Sequence, residues 1–450
     1  MLCFPLPGER PLDTNPEFLR NLRLEFSLHR VIGMPLIAGL VFLAVWLATE
    51  SMDSIGAAAS IMAFILLVLW GTRLSTESVM TEVENLTWDE QRLTSMTSWE
   101  MTWGKLIGST SFIWYGALWL LPFVVLWPKD AIMGGFEMVI TGVAAQATAM
   151  LFGMLFLRLK PAGLRGLATV AQITGVLLGT GVLLALFPLR DQSMDIQWYG
   201  LTFEAERFGF AALCIITSWT IAGIHHLMRS ELQYADPPYV WGAFLIFAVF
   251  FNAGFAEISP WMAFETPGLA TAMVVAFATS ALLTELAALL EPKGFIPMRQ
   301  WLARLAENHT AAARAATPCW FVSLVVSAVL CITAAAFEAT TGNAQTIPTL
   351  AAILLFVIRD VGLISFFTLS GRPFSGTVTS LVYLGILYLL LPAILIFAEQ
   401  PHFLSIFLPD VDVTASPVMS MTPPAVEAAI TWSMLAWRWN RIRNKTFSAT

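Results

Sequence analysis

Arg359 and Asp360 stand next to each other inside a long apolar run, residues 348–368. A charge at the centre of a bilayer costs about 2.5 to 3.5 kcal/mol on insertion scales, so such residues are kept for a structural polar contact or for a substrate or gating path. Sequence neighbours point to different sides of a helix, so each is expected to find a partner in another span or to reach the interface. Other residue types that carry chemistry are dispersed. Glu137 and Glu285 fall near the ends of apolar runs, where exposure to headgroups is expected, and His225 and His226 are adjacent with no third ligand in range. No metal site is assigned, and five scattered histidines argue against a polytopic lipid-modifying enzyme. Cys3, Cys214, Cys319 and Cys331 show neither a disulfide framework nor metal spacing. No Gly-x-x-x-x-Gly-Lys-(Ser/Thr) phosphate loop occurs, since Gly104-Lys105 has no glycine five residues before Gly104 and is followed by Leu106. No catalytic residue is assigned, and the chain is not expected to act as an enzyme.

The elements that carry these residues follow from composition. The 450 residues are 57% hydrophobic and 12% charged with a mean hydropathy of +0.72, against about 25% charged in a soluble domain. A soluble enzyme is excluded, and a net charge of -7 gives no basic footprint for nucleic acid. A span needs about 20 apolar residues. Twelve such runs are read: 31–48, 55–71, 107–127, 132–156, 166–188, 208–228, 238–254, 268–289, 319–336, 348–368, 378–397 and 422–437. The fold expected is an all-α integral membrane protein of two six-span units, 31–228 and 229–450, preceded by an amphipathic helix within 1–30. With the N-terminus inside, 20 of the 24 Lys and Arg fall on the inner side, three on the outer side, and Arg359 within a span. Both termini are therefore expected to be cytoplasmic. The largest inner loops, 72–106 and 290–318, recur at the same place six spans apart, which suggests a parallel duplication.

Asn15 and Pro16 suit an N-cap and first helical position. The helix they start would put Phe18, Leu22 and Phe26 on one face and turn Arg20 and Arg23 largely away from it, for the membrane surface or the protein's own inner face. In loop 72–106, Val79, Val83, Leu86 and Leu93 fit one helical face, and a second short helix capped by Ser98 would gather Trp99, Trp103 and Leu106. Such a surface is one that another protein could grip; a solvated loop with aromatic anchors at the lipid interface is the alternative.

The stretch Glu84-Asn-Leu-Thr-Trp-Asp-Glu-Gln-Arg-Leu-Thr-Ser-Met-Thr-Ser-Trp-Glu-Met-Thr-Trp-Gly-Lys-Leu-Ile-Gly108 resembles the loop after the second span in type-2 ATP-binding-cassette permeases. The segment Asn15-Pro-Glu-Phe-Leu-Arg-Asn-Leu-Arg23 is similar to that family's N-terminal interface helix. The resemblance covers residues 14–228, and the C-terminal half only by its span pattern. Leu86 stands where the family usually has Gly, and Ser95 where it usually has Pro. What the resemblance implies is a coupling helix docked on a separate ATPase subunit, with Glu84, Thr87, Trp88, Asp89, Arg92 and Trp99 at or near the contact and Gly104 and Lys105 at the start of span 3. The expected function is the permease subunit of an ATP-driven exporter in the bacterial inner membrane. It would bind no cofactor itself and would depend on two copies of an ATPase partner that hydrolyses ATP. The second loop could carry a weaker dock on a helix with Ile296, Trp301, Leu302 and Leu305 behind Pro297. One chain would then supply both halves of the path; the alternative is a homodimer in which 14–228 builds it. A twelve-span secondary transporter is the competing function, although it would carry a short loop where this chain has a 35-residue amphipathic one.

Overall fold

The computed structural model describes residues 15–85, 87–88, 93, 96–126, 131–159, 165–191, 195–234, 237–256, 268–369, 373–409 and 417–447. The chain is an all-α membrane protein, with one small hairpin among the described residues. Among the described residues, eight helices are long and apolar enough to cross a membrane, or nine if a bent pair forms one span. The expected runs 166–188 and 238–254 coincide with helices whose described apolar stretches are shorter, Gly166–Gly181 and Tyr239–Ala253. The run 422–437 lies in a 31-residue helix that is not one of the eight.

Two compact units divide the chain. The first comprises 1–157, 162–195 and 204–234, and the second 158–161, 196–203 and 235–450.

In the first unit, α1 (Pro16–Glu25) leads to α2 (Leu28–Thr49). The next span runs without a break from Met52 to Glu84, as α3 (Met52–Phe64), a π-helical turn (Ile65–Trp70) and α4 (Gly71–Glu84). A π turn loosens the helical ladder, and here side chains meet its carbonyls. Gln146 Nε2 donates to Leu67 O at 2.9 Å, Thr72 Oγ1 to Val68 O at 2.7 Å and Gln172 Nε2 to Leu69 O at 3.1 Å. The start of the expected loop 72–106 is thus a rigid extension of span 2. The chain continues through α5 (Ser98–Leu106), α6 (Ser111–Leu126), α7 (Ala131–Arg158), α8 (Arg165–Asp191) and α9 (Ala205–Glu231). α5 and α6 meet at 51°. Gly108 permits this bend, because a Cβ there would lie 2.0 Å from Gly104 O.

In the second unit, the hairpin β1 (Asp195–Trp198) and β2 (Leu201–Glu204) turns through Tyr199 and Gly200, both at positive φ, the pairing a two-residue type I′ turn requires. Its Trp198 Nε1 and Tyr199 hydroxyl donate to Phe251 O and Phe250 O of α10 (Tyr239–Ala253) at 3.0 and 2.8 Å. α11 (Leu269–Leu290) then leads through α12 (Phe295–Ala306) and α13 (Thr310–Ala315) to α14 (Cys319–Thr341) and α15 (Ile347–Thr368). α16 (Pro373–Gly385), a π turn (Ile386–Leu390), α17 (Leu391–Phe397) and α18 (Pro417–Phe447) complete the unit. α11 and α14 pack through small polar residues, with Ser280 and Ser327 hydroxyls 2.7 Å apart and Thr284 and Ser327 hydroxyls 3.0 Å apart. Such contacts hold apolar helices together where water offers no driving force.

Candidate functional site

The first unit brings its N-terminal helix, the extension of span 2 and the helix before span 3 into one layer. Asn15 caps α1, its Oδ1 accepting from Glu17 N at 3.0 Å and Phe18 N at 3.2 Å, while its Nδ2 donates to Glu100 O at 2.6 Å. One side chain therefore starts α1 and ties it to α5. Pro16 occupies the first helical position, exposed. Asn21 Nδ2 donates to Gly104 O at 3.1 Å. Gly104 is where the helices touch, since a Cβ would stand 2.6 Å from Glu17 Cβ.

At that contact Lys105 is fully buried. Its Nζ donates to Glu17 Oε1 at 3.3 Å and to Glu82 Oε2, and lies 5.2 Å from the Trp88 ring centroid. Arg20 Nη2 donates to Glu17 Oε1 at 2.8 Å and also to Glu82. Two carboxylates face two cations, so the buried Glu17, Glu82 and Lys105 are balanced by Arg20 at the exposed edge of the cluster. Although burial lowers the Arg20 guanidinium, the hydrogen bond to Glu82 and the charges of Glu17 and Glu82 push it above its ordinary value. Thr87 closes the turn after α4, donating from N and Oγ1 to Glu82 O at 3.0 and 3.2 Å.

Several expectations change. The side of α1 that carries Glu17, Arg20 and Asn21 faces α4 and α5, so Arg20 is held in the ion-pair cluster; Phe18 is half-buried and Arg23 exposed. Phe26, beyond the helix, sits edge-on to Phe112 and Tyr115. Trp88, Gly104 and Lys105 are buried, so they hold the layer together rather than form its surface. Thr97, not Ser98, caps α5. It forms a capping box with Glu100, which frees the Ser98 hydroxyl to share a 2.9 Å hydrogen bond with His225 Nε2. Trp99 stacks on the His225 ring at 4.1 Å and on Trp103 at 6.2 Å. Trp99 and Trp103 are 47% and 38% exposed while Leu106 is buried, so the three do not share one outward face. Glu84 is exposed, as is Leu93. Asp89 and Arg92, with Leu86 and Ser95, lie outside the described residues. Beneath the layer, Val79, Trp88, Met101, Leu106, Met150 and Met228 form a core that reaches from α4 and α5 to α7 and α9.

The second unit holds the other charged cluster. Contrary to expectation, Arg359 and Asp360 bond to each other, Nε to Oδ1 at 2.8 Å. A long guanidinium stem curls back where a short side chain would diverge. Each also finds the partner in another helix that their cost demands. Arg359 Nη1 donates to Glu427 Oε2 of α18 at 2.6 Å, and the Tyr388 hydroxyl donates to Asp360 Oδ2 at 2.5 Å. The guanidinium lies 4.6 Å from the Phe356 ring centroid and 5.0 Å from that of Tyr388. Glu285 is half-buried beside a cavity of about 340 Å³, and Glu137 is buried, so neither is the exposed headgroup neighbour expected. Gln146, Tyr388 and Glu427 join the residues expected from sequence. Only Glu427, an acid in an otherwise apolar run, carried a visible signal.

At the foot of α11, Glu291 accepts from Cys319 N and Trp320 N at 3.1 and 3.2 Å, a carboxylate on the N-terminus of α14. Burial nevertheless pushes it above the usual carboxylate range. Lys293, buried and donating to Ala288 O, is lowered by burial to about 8, against the field of Glu291. In α12, Trp301 is buried against Phe321, their centroids 5.1 Å apart, while Ile296, Leu302 and Leu305 are exposed.

No family model, curated protein or solved structure matches the chain.

Proposed function

We propose that this chain is the membrane-spanning permease subunit of an ATP-driven exporter and that its first unit receives force from a separate ATPase. The observation that carries the reading is the neutral cluster of buried Glu17, Lys105 and Glu82 with the exposed Arg20 at its edge, which joins α1, α4 and α5. Coupling needs a surface that a partner can push and a stiff path from that surface to the spans. Trp99 and Trp103, stacked and partly exposed, with Glu84 nearby in sequence, supply the surface. Continuous helix from Met52 to Glu84, and α5 joined to α6 across one bend, supply the path. Residues 1–450 carry no phosphate loop, and in this reading the ATPase is a separate polypeptide. In this reading the layer is cytoplasmic, both termini are inside the bacterial inner membrane, and twelve spans form two six-span units.

The test replaces Trp99 and Trp103 by Ala together. Both are partly exposed, so insertion and folding persist while copurification with the ATPase falls at least tenfold or its hydrolysis uncouples from transport. Unchanged copurification and coupled hydrolysis would overturn the reading. A secondary transporter is the second reading, favoured by Arg359, Asp360 and Glu427 within apolar helices; transport in vesicles without nucleotide would select it.

A further inference from the structure

We propose that the cavity of the second unit between α11, α15 and the π turn Ile386–Leu390 is a binding site for a lipophilic organic cation. The cavity, about 340 Å³, has walls of Leu282, Ile353, Phe356 and Val357, and two polar groups, the Glu285 carboxyl and Tyr388. Its size lies at the small end of pockets that hold organic ligands.

The charge balance identifies the class. Glu285 is within electrostatic reach of Asp360 and Arg359, and Asp360 also feels Glu427. Three carboxylates are thus gathered around Arg359, the one cation they share among the described residues. The neutral cluster of the first unit shows the contrast, with one cation for each carboxylate. Arg359 is already committed to Asp360 and Glu427, which leaves Glu285 facing the cavity without a hydrogen-bonded cation of its own among the described residues. In an apolar surrounding an uncompensated carboxylate is costly, and a cation entering the cavity removes that cost. An anion would meet the excess negative charge. A neutral hydrophobe would fill the walls but leave Glu285 uncompensated.

The walls suit a cation with apolar substituents better than a hydrated metal ion. Phe356 and Tyr388 line the cavity and already carry a cation, the Arg359 guanidinium, against their rings. Aromatic faces with a nearby carboxylate are what hold quaternary ammonium groups. The Tyr388 hydroxyl is directed to Asp360 at 2.5 Å, so it offers the cavity no donor that would favour an anion.

This inference does not rest on coupling to an ATPase, and its test contains neither nucleotide nor partner. Benzyltrimethylammonium and its uncharged carbon isostere, neopentylbenzene, have the same shape and differ in charge. Equilibrium dialysis of labelled benzyltrimethylammonium against the full chain in nanodiscs is expected to show saturable binding that neopentylbenzene does not displace. Glu285→Gln is expected to weaken it at least tenfold. Leu282→Trp, an exposed wall position tolerant of change, is expected to block it without altering a charge. Absence of saturable binding, equal affinity for the isostere, or full binding by a folded Glu285→Gln protein would each overturn the proposal. The last two outcomes would mean that Glu285 is neutralised by a proton and the cavity is merely apolar.

Discussion

Lys105 and Glu17, 88 residues apart in sequence, are ion-paired at 3.3 Å with side chains 0% and 3% exposed. The pair fixes the N-terminal helix on the helix that enters the third span. Removing one partner of a buried pair leaves the other charge desolvated, at a cost of about 3 to 5 kcal/mol. Lys105→Met should therefore lower the unfolding temperature of the purified protein sharply. The double change Glu17→Gln, Lys105→Met, which leaves Glu82 paired with Arg20, should recover most of the loss. A single variant as stable as the parent would show that the pair does not hold the layer.

Gly104 allows α1 to approach α5, and Gly104→Ala would place a Cβ 2.6 Å from Glu17 Cβ. Atoms do not approach that closely, so α1 must lift. Trypsin cleavage after Arg20 and Arg23 should accelerate several-fold with the spans intact. Unchanged cleavage would mean that the layer accommodates the methyl group.

The apolar runs were legible as helices because burial in lipid demands about 20 apolar residues whatever the neighbours are. The start of α1 was also legible, since Asn15 and Pro16 act locally. What could not be read were pairings between distant segments. The apolar face of α1 gave no sign that Arg20 joins an ion-pair cluster, because the buried face is set by Glu17, whose partner Lys105 lies 88 residues away, and by Glu82, 62 residues from Arg20. Thr97 and Ser98 are both good caps, and the local pairing of Thr97 with Glu100 three residues on decides between them, whereas the bond from Ser98 to His225 depends on a distant helix. The bond from Arg359 to Asp360 defied the rule for adjacent residues because the rule describes Cβ directions, not the reach of a guanidinium.

Lys293 gives a pH dependence of definite sign. Its folded value is about 8 and its ordinary value 10.5. Between these limits the unfolded chain binds more protons than the folded one, so this residue makes stability rise with pH from about 8 to 10.5, with no contribution to the slope below that window. Subtracting the profile of Lys293→Met from that of the parent isolates the effect. A difference that is flat or falls with pH across the window would contradict the burial of Lys293.

Arg359 joins Asp360 and Glu427 through a planar fork. Lysine cannot reproduce two such bonds while lying over Phe356 and Tyr388. Arg359→Lys should accordingly lose thermal stability, and Arg359→Met should lose more, about 3 to 5 kcal/mol, by leaving buried carboxylates without their cation. Equal stability of the Lys variant and the parent would show that charge alone matters there.

The central claim is that this chain works as the membrane part of a transporter driven by a separately encoded ATPase. Native mass measurement of the complex purified from its own membranes tests it most directly. One copy of this chain with two copies of a polypeptide carrying a phosphate loop is the predicted composition. This chain recovered without any nucleotide-hydrolysing partner would contradict the claim, and two copies per ATPase pair would contradict the proposed fusion of two six-span units in one chain.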